Sequence, residues 1–167
     1  LNDTAVADNI EKVKDFAQME VLDIVSCTGI TGDITKYVAT LPSLKRISTT
    51  RSNNLTGNVA NLVNNTNLEN VSINISNIGG DISYLGKLTK LTTLQIADAN
   101  NLSGSIESMV AAFRTNGRQT GSISMPNASY VSPITYNGES LRNWVRTNLP
   151  GVNNVTLSWT ANNITIS

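Results

Sequence analysis

The chain has 167 residues and no formal net charge, twelve Lys and Arg balancing twelve Asp and Glu. Only 14% of it is charged, while Asn, Thr and Ser together make up more than a third of the chain, so the surface has little field to steer it toward nucleic acid or an anionic membrane. The absence of histidine removes the commonest general base and metal ligand, and a single cysteine excludes an internal disulfide, a Cys-rich zinc site or a CxxC pair. No cofactor and no metal are expected. No stretch approaches the roughly eighteen apolar residues that a membrane-spanning helix needs. A start at Leu1 rather than Met fits a processed, exported product whose signal peptide has been removed.

At the N-terminus, Asp8 followed three residues later by Glu11 reads as a helix cap, with Ile10, Val13 and Ala17 on one helical face. A capping helix is expected within residues 1–18, over about 4–18. Residues 19–116 then carry a repeat. Four segments align on a glycine followed two residues later by a β-branched residue: Thr28 to Ile34, Asn54 to Val59, Asn77 to Ile82 and Asn101 to Ile106. The glycines Gly32, Gly57, Gly80 and Gly104 recur at nearly equal intervals, about two dozen positions apart. Ahead of each glycine runs a second apolar register: Phe16, Met19, Leu22 and Ile24; Leu41, Leu44 and Ile47; Leu68, Val71 and Ile73; Leu88, Leu91, Leu94 and Ile96.

Alternate side chains of a strand point to opposite faces, so Leu94 and Ile96 go inward and Gln95 outward. Each repeat lays one short strand beside the last, the glycine turns the chain away from that wall, and Ile34, Val59, Ile82 or Ile106 re-enters the core. One repeat cannot bury its apolar face alone; stacking buries it jointly. About five buried aliphatics per repeat, at roughly 1.5 to 3 kcal/mol each, dominate the stabilisation before chain entropy is subtracted.

The LxxLxL register followed by a turn resembles the leucine-rich repeat, and its interval falls within the range of that repeat's period. The segments NNLTGNV, NNLSGSI and SNIGGDI resemble its plant-type class, NxLxGxIP, over about residues 16–110. The resemblance implies an α/β fold, a right-handed leucine-rich repeat solenoid with a parallel concave sheet and a non-catalytic binding role. The Pro after Ile and the capping cysteine pairs of plant members are missing, which points to a bacterial exported or cell-surface protein.

Beyond Ser108, Met109, Val110 and Phe113 mark a convex-side helix stopping near Asn116-Gly117. Ile123 and Met125 mark another strand, Leu141, Trp144, Val145 and Leu149 a helix, and Val155, Leu157 and Trp159 a further strand, with a last one around Ile164 to Ile166. Residues 117–167 read as degenerate repeats and a C-terminal cap. No linker marks a boundary, so a single domain over 1–167 is expected.

Candidate chemistry is sparse. Cys27 occupies the position where such repeats place Asn or Cys against the turn backbone, with Ser52, Ser76 and Ala99 as its equivalents, and reads as a buried structural thiol. Asp33 and Asp81 follow turn glycines two repeats apart, roughly 10 Å if strands are about 4.8 Å apart; that approaches an inverting glycosidase pair, but Asn58 and Ser105 stand in the other repeats, and solvated turn residues account for them better. Nine N-x-S/T triplets occur, against roughly five from composition, so glycosylation is not needed to explain them. The outward positions of the concave sheet are the candidate ligand-binding residues: Asp23, Arg46, Ser48, Asn70, Ser72, Asn74, Thr93 and Gln95, continued by Ser122, Ser124, Thr156 and Ser158. They include no aromatic residue and only one Arg, types that binding hot spots favour. Tyr37 and Tyr84 fall on the convex side, Tyr130 and Tyr136 in a loop. The partner expected is a protein or a surface glycan, with the chain a monomer or a weak homo-oligomer; the alternatives are a spacer in a larger surface protein and a polysaccharide-acting solenoid enzyme.

Overall fold

The computed structural model describes residues 8–74, 77–97, 101–117, 120–127, 131–132, 137–159 and 163–166. In chain order its strands are β1 (Asp8–Asn9), β2 (Val21–Val25), β3 (Ile30–Asp33), β4 (Arg46–Thr50), β5 (Leu55–Asn58), β6 (Asn70–Asn74), β7 (Ile78–Asp81), β8 (Thr93–Ala97), β9 (Asn101–Ser105), β10 (Gly121–Pro126), β11 (Val152–Trp159) and β12 (Asn163–Thr165). Its helices are α1 (Ile34–Val38), α2 (Ile106–Thr115) and α3 (Gly138–Asn148), with 3-10 turns at Ile10–Asp15, Val59–Asn64 and Ile82–Lys87.

The strands form two parallel sheets. The first runs β11-β10-β8-β6-β4-β2 and is the wall anticipated from the LxxLxL register. The second runs β1-β3-β5-β7-β9-β12, and it corrects the sequence reading. The glycines do not turn the chain away; they lie within strands of this second sheet. Between the sheets sits one apolar column in which Ile24, Leu44, Ile47, Leu68, Leu94 and Phe113 are fully buried.

The glycines are needed because of their neighbours. A Cβ at Gly80 would collide with the Asn58 carboxamide, and one at Gly104 with the Asp81 carboxylate; one at Gly32 would lie 2.8 Å from Asn9 Oδ1. Those three residues are N-caps of the convex segments: Asn9 accepts from Glu11 N, Asn58 from Ala60 N and Asp81 from Ser83 N. Each cap therefore rests on the glycine of the next repeat. In one repeat Thr35 takes that place instead: its hydroxyl donates to the cap Asp33 at 2.7 Å and accepts from Asn58 N at 2.9 Å, while a Cβ at Gly57 would strike it. Asp33 and Asp81, read from sequence as solvated turn residues, are thus both capping groups.

Asparagine amides add a second tie between repeats. Asn54 donates to Thr28 O at 2.5 Å and Asn77 to Asn53 O at 2.7 Å. On the convex side the buried Asn65 donates to Val38 O and Leu41 O, and Asn116 to Gly86 O. Val38 O and Leu41 O already accept from Leu41 N and Leu44 N, so Asn65 fills their second lone pairs and ties the two turns together.

The ends depart from expectation in part. In place of a helix over 4–18, a two-residue strand leads into a six-residue 3-10 turn. Its N-cap is Asn9, because the Asp8 carboxylate accepts from Asn9 N and pairs with Lys12 at 2.5 Å. Residues 1–7 of the expected helix lie outside the described residues. Ile10 is buried and Val13 half-buried, but Ala17 is exposed, and Phe16, assigned to the first apolar register, is 58% exposed. At the other end α2 stops at Asn116 and Gly117 (φ +82°), as the sequence indicates. β12 does not extend the stack: it pairs with β9, Asn163 beside Ser103, while Ser132 bridges to Thr165 on its other edge. Tyr130 and Tyr136 lie outside the described residues.

Two stability tests follow from this packing. Leu94→Ala is expected to cost about 2 to 5 kcal/mol by chemical denaturation, whereas Gln95→Ala, on an exposed side chain one position on, is expected to stay within about 0.5 kcal/mol; the reverse order would mean a strand register wrong by one. Gly104→Ala combines φ +104° with a clash against Asp81, while Gly117→Ala meets open space. The first is therefore expected to lower the melting temperature well beyond the second, for which backbone strain of about 1 to 2 kcal/mol is the whole cost.

Candidate functional site

All eight candidate residues stand on the outward side of the first sheet, and the strand register brings them into rows. Arg46, Asn70 and Thr93 form one row, followed by Ser122 and Asn154. Asp23, Ser48, Ser72 and Gln95 form the next. Asn74 lies in the third, between Thr50 and Ala97. Six strands at about 4.8 Å spacing give a face roughly 24 Å across.

The charges of this face sit at one end. Arg46 Nε lies 3.2 Å from Asp23 Oδ1, both side chains partly exposed, a pair worth about 0 to 1 kcal/mol in such a setting. Beside it Lys45 pairs with Glu20 at 2.9 Å, which holds the lysine ammonium above its ordinary pKa. From β6 onward the outward residues are neutral. Ser72 Oγ donates to Gln95 Oε1 at 3.4 Å.

The face is not uniform. β6 and β8 pair through five residues, from Asn70–Thr93 to Asn74–Ala97, but β8 and β10 pair only at Thr93–Ser122 and Leu94–Ile123. Beyond that point the two strands part, and a hollow of about 220 Å³ opens, bordered by the polar residues Asn74, Gln95, Ser122, Ser124, Asn154 and Thr156 and lined also by the apolar Leu94, Ile96 and Ile123. On the second sheet the same two repeats are also separated. There β12 stands between β9 and Ser132, the residue by which the next repeat bridges to it. One inserted strand adds about 4.8 Å between them on that side.

Ser124, expected to face outward, is 3% exposed; its hydroxyl donates to Ile96 O at 3.1 Å across the split. Asn154 was not among the candidates, although its pairing with Ser122 and the alternation with Thr156 place it on the same face. The side chain of Ser158 lies outside the described residues.

The other candidates do not converge on the hollow. Cys27 is fully buried, its amide donating to Ser52 Oγ at 3.2 Å and its thiol to Val25 O at 3.3 Å. Tyr37 donates its hydroxyl to Glu11 at 3.4 Å, and Lys87 lies 4.6 Å from the ring of Tyr84. Among the described residues there is no cluster of three or more His, Cys, Asp or Glu able to hold a metal ion, and no helix long and apolar enough to cross a membrane. A second hollow, of about 530 Å³, lies at the N-terminal end among Ile10, Val13, Phe16, Met19, Val21 and Leu22.

No family model and no curated protein sequence matches the chain. Solved structures do. Internalin C2 from Listeria monocytogenes aligns at 19% identity and a TM-score of 0.55, over 90% of this chain and 56% of that one. The plant peptide hormone receptor RGFR1, solved in complex with RGF2, aligns at 18% identity and 0.54 over 88% of this chain and 22% of the receptor. The leucine-rich repeat ectodomain of the receptor kinase SOBIR1 from Arabidopsis thaliana aligns at 14% identity and 0.51, over 86% and 70%. The chain thus spans about half the length of the internalin and less than a quarter of the hormone receptor. At these identities the likeness establishes architecture, and the fold is an α/β leucine-rich repeat solenoid.

Proposed function

We propose that the chain is a non-catalytic, exported leucine-rich repeat module that recognises a protein or a surface glycan through its first sheet, with Asp23, Arg46, Ser48, Asn70, Ser72, Asn74, Thr93 and Gln95 contributing. The observation that carries this reading is the register: six strands hold outward polar side chains in fixed rows, so a partner meets a face already ordered and little side-chain freedom is lost on binding. The similar hormone receptor was solved with RGF2 bound, and its likeness to this chain favours a peptide or protein ligand over a small molecule. The capping roles of Asp33 and Asp81 favour a scaffold over a hydrolase, since both carboxylates are engaged in helix-end hydrogen bonds. The NxLxGxI segments support the plant-type repeat class, and the missing cysteine pairs support a bacterial surface origin. The expected test is a host-protein and glycan array on the folded chain: a hit lost on joint substitution of Arg46 and Gln95 by Ala supports the first sheet as the site, and a hit retained moves it elsewhere.

A second reading, a spacer within a larger surface protein that also self-associates weakly, is favoured by one observation. Phe16 and Val21 are 58% and 52% exposed beside the N-terminal hollow, and β2 is the edge of its sheet. Exposed apolar edges invite pairing. Sedimentation of the wild type against a Phe16→Ser, Val21→Ser variant checks it: loss of a dimer in the variant supports this reading, and a wild type monomeric at high concentration counts against it.

A further inference from the structure

We propose that the hollow between β8 and β10 takes the uncharged carboxamide side chain, Asn or Gln, of a protein partner. This deepens the reading of the first sheet as a protein-binding face and rests on it. Four observations converge on that ligand chemistry.

The first is charge. Among the described residues no ionisable side chain borders the hollow, and the Asp23–Arg46 pair stands on β2 and β4, with β6 between β4 and β8. A charged group entering the hollow meets no counter-ion among the described residues, and burying an unpaired charge is costly; a neutral polar group that is hydrogen-bonded there avoids that cost.

The second is the state of the polar groups. Several carboxamides are committed to the scaffold: Asn54, Asn65, Asn67, Asn77 and Asn116 all donate to backbone carbonyls. Those that border the hollow, like Asn70 on the same face, are not. Among the described residues, Gln95 Nε2, the Asn74 and Asn154 carboxamides and the Thr156 hydroxyl make no hydrogen bond, whereas Gln95 Oε1 is held toward Ser72. Carboxamides and hydroxyls both donate and accept, so this rim complements a group that does both. A carboxamide does so with two donors and one acceptor oxygen in a plane.

The third is size. About 220 Å³ lies below the roughly 300 Å³ at which small-molecule sites begin. It admits one side chain reaching in from a segment laid along the sheet. The fourth is the lack of an aromatic ring among the described residues of the rim, which leaves a sugar ring no apolar plane to stack upon and favours peptide over glycan. The opening is present without a ligand, so binding does not have to force the strands apart.

Panning a phage-displayed random peptide library against the folded chain tests the proposal, with affinities of the selected synthetic peptides read by fluorescence anisotropy. The expected result is enrichment of Asn or Gln at one fixed peptide position, a tenfold or greater loss when that residue is changed to Asp or Glu, and a similar loss on Gln95→Met or Thr156→Val in the protein. Thermal melts of these two surface variants confirm that they remain folded, and Lys87→Ala, on the convex 3-10 turn beside Tyr84, is expected to change affinity by no more than about twofold. Peptides selected for charged residues, or binding indifferent to Gln95→Met and Thr156→Val yet abolished by Asn70→Arg, would overturn the hollow as the site while leaving the first sheet as the binding face. Displacement of the peptide by methyl glucoside or N-acetylglucosamine would reassign the hollow to a sugar. Peptides unaffected by any of these variants, or none selected at all, would overturn both readings together.

Discussion

The solenoid depends on the seat that one repeat offers the next. At Asp33 the bonded Thr35 provides that seat; at Asn9, Asn58 and Asp81 the capping side chain itself lies over the following repeat at a distance that leaves no room for a Cβ. The same side chain thereby closes a helix end in its own turn and fixes the spacing to its neighbour. Hydrophobic burial supplies most of the favourable free energy, yet it is tolerant of small shifts along the stack. A cap resting on a glycine is not tolerant, because displacement would leave free donors at a helix end or press oxygen into backbone. The interval from one glycine to the next, about two dozen positions, is the length of chain needed to go once around and bring the next glycine beneath the next cap.

This is also why so much was legible in advance. The inward positions Leu22, Ile47, Val71 and Leu94 follow from period-two alternation, and the four glycines follow from their spacing. What the glycines do was missed, because a glycine before a β-branched residue resembles a turn when read alone. The signal was the residue after it: Asp33, Asn58, Asp81 and Ser105 are all good N-cap types, which places a helix start, not a bend, at each. The β12 pairing had no such signal. Its partner β9 lies far earlier in the chain, and nothing local in the last residues distinguishes one sheet from the other.

The outward face was legible for the same reason as the inward one, but its relief was not. Rows of neutral side chains follow from alternation alone. The parting of β8 from β10 does not, since it depends on where the pairing of strands from two different repeats stops, which no residue pattern along the chain marks. Asn154 and Ser124 illustrate the two errors that result. The first joins the rim through its pairing with Ser122, and the second turns inward to the Ile96 carbonyl across the parting strands. A surface that looks uniform along the chain thus acquires a distinct place by tertiary effect.

The insertion of β12 also bears on how the molecule assembles. Between neighbouring repeats the contacts join positions one repeat apart, and such an array can zip from any well-formed pair of turns. The pairing of Asn163 to Thr165 with Ser103 to Ser105 closes a loop more than twice as long, and closing it must follow, not precede, the ordering of the turns it encloses. The C-terminal third is therefore held by a clasp, since the last strand of the described chain joins β9 on one edge and Ser132 on the other. Fraying from that end must likewise begin by releasing β12.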